Sequence, residues 1–107
     1  MKVILKIIIT KEYKLFIQID SEYKKEINPC ISFNGNFISV CQNNDRTIYF
    51  MKNWIENPEE YKTYAVQFQG KEYQLLPEVL FAIIIDEFKQ RIERKYIIKN
   101  TILELPT

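Results

Sequence analysis

The amino-acid sequence, 107 residues long, predicts a single domain with a mixed α+β fold. Three observations support this prediction. Apolar and polar residues alternate over short runs near the N-terminus, as expected for half-buried strands. After Pro77, apolar residues recur every three or four positions, as expected for an amphipathic helix. Hydrophobic residues make up 47% of the chain, which is enough to form a core and excludes a disordered chain.

The first 20 residues are predicted to form a β-hairpin. Residues 2–10 form its first strand, residues 11–14 the polar turn and residues 15–20 the return strand. One face of this hairpin is entirely apolar and consists of Val3, Leu5, Ile7, Ile9, Leu15, Ile17 and Ile19. The charged stretch 21–29 that follows is predicted to be a loop.

A second hairpin is predicted around the Asn34-Gly35-Asn36 turn, with strands at 31–33 and 37–40. A turn at Gly35-Asn36 places Cys30 opposite Cys41, whereas a turn at Asn34-Gly35 offsets the two thiols. The sequence leaves open whether they pair. Two reduced thiols in an intracellular protein are the preferred interpretation, because two cysteines are too few for a disulfide scaffold.

A short helix is predicted over residues 47–55, where the apolar period changes to that of a helix. Asn44 or Asp45 is available to cap its first turn, and the Asn57-Pro58 pair ends it.

The remaining elements are a third hairpin, a long helix and a final strand. The hairpin has strands at 64–68 and 72–75 around Gln69-Gly70-Lys71. Pro77 begins the helix, which runs to about Tyr96 and packs on the sheet. Its apolar stripe contains Phe81, Ile84, Ile85, Phe88 and Ile92. The last strand, 101–105, stops at Pro106.

The composition excludes several classes of chemistry. The chain has no histidine, so it has no Ser-His or Cys-His nucleophile pair and no histidine-based zinc site. Its two glycines, Gly35 and Gly70, are too far apart for a P-loop or a dinucleotide-binding fingerprint. The net charge of +1 argues against electrostatic binding to nucleic acid or to an anionic membrane.

A few polar and aromatic residues are candidates for function. The adjacent acids Glu59-Glu60 and Asp86-Glu87 are interpreted as solvated surface charge rather than acid–base catalysts. A cluster of basic residues near Tyr96 is interleaved with Glu87 and Glu93 and consists of Lys89, Arg91, Arg94, Lys95 and Lys99. Phosphate binding is one interpretation of this cluster, and a solvated helix end is the favoured one. Trp54 is interpreted either as an interface anchor or as a core residue, and the core residue is the favoured interpretation. The candidate partner surface consists of Trp54, Arg91, Arg94 and Lys95; no catalytic, cofactor-binding or metal-binding residue is predicted.

The sequence also predicts where the protein resides. The apolar stretch 3–9 is interrupted by Lys6, which is not typical of a secretory signal. The longest unbroken apolar run, residues 79–85, is far too short to span a membrane. We therefore expect a cytoplasmic protein.

Five segments in order suggest a family. They read N-P-C-I-S-F at 28–33, N-D-R-T-I-Y-F-M-K-N-W-I at 44–55, F-Q-G-K-E-Y at 68–73, P-E-V-L at 77–80 and T-I-L-E-L-P at 101–106. This series resembles motifs in the ATPase domain of the 70-kilodalton heat-shock chaperones (DnaK type). The resemblance is best over 47–106, and it implies the first lobe of an actin-like ATPase fold, namely part of the base sheet plus the outer subdomain.

The same resemblance implies that this chain does not hydrolyse ATP. The first phosphate loop of the family would precede residue 1, and the region of its catalytic lysine is shortened here to residues 40–43, without a lysine. Pro106 matches the proline with which the family relays nucleotide state. We therefore expect no binding of ATP or magnesium by the isolated chain.

The expected function is a non-catalytic binding or regulatory module that docks on a chaperone or competes for a nucleotide-exchange factor. Two alternatives are half of a split ATPase completed by a second chain, and a small structural subunit of a larger complex. The apolar face of the first hairpin is expected to lack internal cover, which predicts a homodimer or an obligate protein partner on these strands. The alternative is that the long helix covers this face.

Overall fold

The computed structural model of the protein describes residues 2–40 and 46–106 and has a mixed α+β architecture. Within these residues the elements, in chain order, are β1 (Lys2–Ile9), β2 (Leu15–Ile19), β3 (Tyr23–Ile27), β4 (Cys30–Asn34), β5 (Phe37–Val40), β6 (Ile48–Tyr49), α1 (Met51–Glu56), β7 (Tyr64–Phe68), β8 (Lys71–Leu75), α2 (Pro77–Glu93) and β9 (Ile97–Glu104). The chain divides into two compact units. The first comprises Met1–Asn28 with Glu87–Thr107, and the second comprises Pro29–Asp86.

The first unit contains a four-stranded sheet in the order β3-β2-β1-β9. β1, β2 and β3 are antiparallel neighbours, whereas β9 returns parallel to β1 on its other side. The alternation of β1 appears directly in its burial, because Val3, Leu5, Ile7 and Ile9 are buried and the residues between them are not. This sheet carries the groove discussed below.

The apolar face of the first hairpin is covered, which corrects the expectation of an open patch. Six of its seven residues are at most 4% exposed, and only Ile19 is half-buried. Within this unit, Phe88 and Ile92 of α2 line one groove together with Ile17 and Ile27. In the first unit, the end of the long helix thus lies beside Ile17 of this face. The homodimer or partner predicted on these strands stays a prediction, without the exposed apolar patch that motivated it.

Two further corrections concern strands at the edges of this sheet. Residues 23–27, expected to be part of a loop, form β3, because their backbone groups pair with β2 although only Ile27 is buried. β9 begins at Ile97 rather than at Thr101. In the pairing with β1, Ile98 is the partner of Val3 and Asn100 is the partner of Ile4, so Lys99 has no partner in the register. This irregularity interrupts the alternation of side chains, and the first half of the strand was therefore not predicted.

The second unit contains the sheet β5-β4-β6 and the hairpin β7-β8. In the β4–β5 hairpin, Asn34 pairs with Phe37, so the turn residues are Gly35 and Asn36. Gly35 has a φ of +62°. Cys30 is buried; Cys41 lies outside the described residues, so the question of thiol pairing stays open. Gln69 and Gly70 form the turn of the other hairpin, one residue shorter than predicted.

The short helix of this unit begins later than predicted. Ile48 and Tyr49 pair with Ile31 and Cys30 as β6, so α1 starts only at Met51 and ends at Glu56. Phe50 is its N-cap and provides no side-chain hydrogen bond; the predicted caps, Asn44 and Asp45, lie outside the described residues. The helix predicted over residues 47–55 is therefore confirmed only from Met51 onward, because Ile48 and Tyr49 pair with β4.

The long helix begins at Pro77, as predicted, and ends at Glu93, three residues before the predicted end. No helix in residues 2–40 and 46–106 has the length and apolar character needed to cross a bilayer.

Candidate functional site

A groove of about 350 Å³ lies in the first unit between the last part of α2 and the strands β2 and β3. Its floor is apolar and consists of Ile17, Ile19, Ile27, Phe88 and Ile92. Four of these five side chains are at most 9% exposed. A pre-formed apolar recess of this size is typical of sites that receive a ligand or a side chain of a partner.

The strand side of the groove follows from the register of β2 with β3. Tyr23 lies opposite Ile19 and Lys25 lies opposite Ile17. Cross-strand partners point to the same face of a sheet, so Tyr23 and Lys25 continue the apolar floor to the edge of that face. Tyr23 is 50% exposed, and its ring extends the apolar surface toward solvent.

The helix side of the groove is formed by Arg91, Lys95 and Tyr96. Arg91 is held in place by its neighbours on α2. Its Nη2 lies 3.0 Å from Oε1 of Glu87, its Nε donates to the same oxygen at 3.2 Å, and its guanidinium stacks 4.9 Å from the centroid of the Phe88 ring. Arg91 is therefore a positioned cation directly above the apolar floor.

The groove is electrostatically one-sided. Its lining contains three cations, Lys25, Arg91 and Lys95, and no carboxylate is among the described residues that line it. The ion-pair partner of Arg91, Glu87, is outside the lining. Chemically, the groove offers an apolar floor for an apolar group and a cationic rim for an anion next to it.

The structure brings together two of the four residues predicted as a partner surface. Arg91 and Lys95 line the groove, whereas Arg94 is exposed in the turn after α2 and does not line it. Trp54 belongs to the second unit, where it is half-buried. Its ring centroid lies 6.2 Å from that of Phe50 and 5.4 Å from that of Phe81, so the side chain packs against aromatic rings of its own unit. Its role as an interface anchor stays a prediction.

Sequence reasoning missed the strand side of the groove. Tyr23 and Lys25 fell in a stretch interpreted as a loop, so no face was assigned to them. No apolar alternation marked this stretch as a strand, because Lys24, Lys25 and Glu26 are three consecutive charged residues. Only the pairing with β2 makes the stretch a strand and places Tyr23, Lys25 and Ile27 on one face.

The other cavities have less distinctive chemistry. A shallow cavity of about 530 Å³ beside β9 carries charges of both signs, including Lys89 and Glu93. A cavity of about 380 Å³ in the second unit is lined by Arg46 and, among the residues that the structure describes, by no other charged side chain. Glu59 and Glu60 are exposed, and Glu87 pairs with Arg91. Within residues 2–40 and 46–106 no three His, Cys, Asp or Glu side chains are grouped as a metal site.

Comparisons of the chain with protein-family models, with curated proteins and with solved structures found no match. The resemblance to the heat-shock chaperones and the actin-like lobe that it implies therefore stay predictions.

Proposed function

We propose that this protein is a binding module that holds an acidic, apolar segment of a partner protein in the groove between α2 and β2–β3. The observation that supports this proposal is the combination of an apolar floor with a rim of Lys25, Arg91 and Lys95. A chaperone or a nucleotide-exchange factor, the partners implied by the resemblance, would be recognised here only through such a segment.

The floor would supply most of the binding free energy. Complete burial of one leucine or phenylalanine side chain is worth about 1.5–3 kcal/mol. Each exposed ion pair at the rim contributes only about 0–1 kcal/mol. The apolar floor therefore determines whether a segment binds, and the rim determines the sign of the charge that it carries.

The residue types of the rim also favour a protein as the partner. Tyrosine and arginine are enriched at the centres of protein interfaces, and this groove presents Tyr23, Tyr96 and Arg91 around its floor. Arg91 is already stacked on Phe88, so less side-chain entropy is lost when a partner binds.

Fluorescence anisotropy with labelled peptides tests the proposal. The probe is a short peptide that alternates leucine and phenylalanine with glutamate; one control peptide carries lysine for glutamate, and another carries serine for the apolar residues. We expect saturable binding of the acidic apolar peptide alone. Equal binding of the basic peptide, or no saturable binding of any peptide, would contradict the proposal.

A matched pair of variants assigns the binding to the groove. Lys25 and Lys24 are neighbours on β3, but only Lys25 lines the groove. Lys25→Glu is expected to weaken binding of the acidic peptide by about tenfold, whereas Lys24→Glu, with the same change in net charge, leaves it nearly unchanged. Equal losses from both variants would show that net charge alone is responsible.

A further inference from the structure

The loop between α1 and β7 presents an acidic and aromatic surface in the second unit. Residues 53–61 contain three glutamates and no lysine or arginine. Glu59 and Glu60 are exposed. Tyr61, which follows them, is 93% exposed, more than any other large hydrophobic side chain in residues 2–40 and 46–106. Tyrosine is enriched at the centres of protein interfaces, so a ring with so little contact to its own chain is suited to a partner.

A turn shapes this loop. The backbone N–H of Asn57 donates to the carbonyl oxygen of Asn53 in α1 at 2.9 Å. The backbone N–H of Glu60 in turn donates to the carbonyl oxygen of Asn57 at 3.1 Å, which closes a turn with Pro58 and Glu59 at its centre. Proline fixes its own φ. Less conformational entropy is therefore lost when this loop binds than when an unstructured segment does.

The acidic loop, residues 57–61, complements the groove of the first unit. The groove has three cations at its rim and no carboxylate among the described residues that line it, whereas the loop carries two adjacent carboxylates. Beside the cations lies the apolar floor, and beside the carboxylates lies the ring of Tyr61. The first cation after the loop, Lys62, lies 5.3 Å from the centroid of the Tyr64 ring. Charge and apolar character thus match in both surfaces.

We propose that the groove receives the acidic loop of a second copy of the chain, with Glu59 and Glu60 at the cationic rim and the ring of Tyr61 on the floor. This inference rests on the proposed function and names the chain itself as the partner. Each copy offers one groove and one loop, so the contact joins two different surfaces. The net charge of +1 leaves little overall repulsion between copies.

Sedimentation equilibrium of the full chain over a wide concentration range, at low and high ionic strength, tests this inference. We expect the average mass to rise above that of one chain with increasing concentration, and to rise less at high salt, because exposed ion pairs are screened. A monomer at every concentration would overturn the inference. If the labelled acidic apolar peptide binds saturably to such a monomer, the proposed function stands and only the second copy is excluded as the partner.

Two charge reversals identify the two surfaces. Lys25→Glu changes the groove and Glu60→Lys changes the loop, and each is expected to weaken self-association by about tenfold. A mixture of the two variants contains an intact loop on one chain and an intact groove on the other, so association should return. A mixture that associates no more strongly than either variant alone would overturn the proposed contact.

Lys24→Glu and Glu72→Lys are the matched controls for net charge. Both residues are exposed; Lys24 is on the same strand as Lys25 but does not line the groove, and Glu72 is in β8 of the second unit. Each control variant should associate like the parent protein. Equal losses in the controls would show that net charge and not this contact drives association.

Tyr61 tests the apolar half of the contact. Because the ring is 93% exposed, Tyr61→Ala should leave the thermal unfolding midpoint nearly unchanged while it weakens self-association by about tenfold. Tyr73→Ala is the control, since Tyr73 is a 40% exposed tyrosine of the same unit outside the loop. Its self-association should match that of the parent. Unchanged association of Tyr61→Ala would overturn the placement of this ring in the groove.

Discussion

Lys25 and Ile17 are direct cross-strand partners in the pairing of β3 with β2. Ile17 is 4% exposed, whereas Lys25 is exposed at the rim of the same groove. A charged residue on the apolar face of a sheet is unusual unless the face ends there or receives a counter-charge. This pair therefore marks the boundary between the core of the first unit and the surface that we propose for binding.

The edge-to-face contact of Phe33 with Phe68 should be measurable by a double-mutant cycle. Their ring centroids lie 6.0 Å apart with planes inclined by 79°, which is a favourable aromatic geometry. We expect a coupling free energy of about 0.5–1.5 kcal/mol between Phe33→Leu and Phe68→Leu, obtained from urea unfolding. Additive effects of the two substitutions would contradict a direct contribution from the ring contact.

Gln69 is a site where a conservative change should stabilise the protein. Gln69 has a φ of +52° and Gly70 a φ of +77° in the two-residue turn between β7 and β8. Asparagine tolerates this conformation better than glutamine does, so Gln69→Asn should raise the free energy of unfolding by about 0.5–1 kcal/mol.

Gly70→Ala is the control for this turn. Apart from its two neighbours in the chain, no atom of residues 2–40 and 46–106 lies within 4 Å of the position that a Cβ would take. The expected cost of about 1–2 kcal/mol therefore comes from backbone conformation and not from a clash. The backbone N–H of Gln69 donates to the carbonyl oxygen of Gly35 at 3.0 Å. Both substitutions retain this hydrogen bond. Chemical denaturation of the three proteins measures the effects, and a destabilised Gln69→Asn variant would refute the conformational explanation.

Adjacent positions on α2 should differ strongly in their contribution to stability. Leu80 is fully buried, whereas Val79 is 41% exposed. Leu80→Ala is expected to lower the free energy of unfolding by about 2–5 kcal/mol through lost burial and a residual cavity. Val79→Ala is expected to change it by no more than about 0.5 kcal/mol. Similar losses at the two positions, measured by thermal and urea unfolding, would show that burial is not the cause.

The fold was predictable where side-chain periodicity and backbone pairing agree. The alternation from Val3 to Ile9, the turn glycines Gly35 and Gly70 and the helix start at Pro77 each depend on local chemistry that one sequence displays. Tertiary partners decided the rest. Ile48 follows a helical spacing with the residues after it, but it pairs with Ile31 of β4, and such pairing between distant residues is invisible in a local pattern.

The site was predictable only on its helix side. Arg91 and Lys95 stood out as cations one turn apart at the end of a predicted helix. Tyr23 and Lys25 became visible only when β3 was paired with β2, because a short edge strand with one buried residue has no clear apolar period. The groove is formed by residues of β2 and β3 together with residues at the end of α2. Without the strand residues, the cations of the helix are typical only of a solvated surface.

Removal of the Glu87 carboxylate, which bonds to Arg91, should change the affinity for the acidic peptide while barely changing the free energy of unfolding. Glu87→Gln eliminates an exposed ion pair one helical turn apart, so the free energy of unfolding should fall by no more than about 0.5 kcal/mol. The same change leaves the guanidinium over Phe88 without its competing anion, which raises the positive charge available to a ligand. Under the proposed function, the acidic apolar peptide should bind more tightly, and this gain should shrink at high salt, because the rim is exposed and therefore screened.

Glu93→Gln provides the matched control for this experiment. It removes one negative charge from the same helix at a residue that does not line the groove, so its effect on peptide affinity should be smaller. Anisotropy titrations at low and high ionic strength compare the two variants with the parent protein. Weaker binding by Glu87→Gln would mean that Glu87 acts by orienting Arg91 rather than by competing for it. An equal gain in peptide affinity from both variants would show that only the net charge of the protein matters. The cations of the rim would then have no specific effect on binding in the groove.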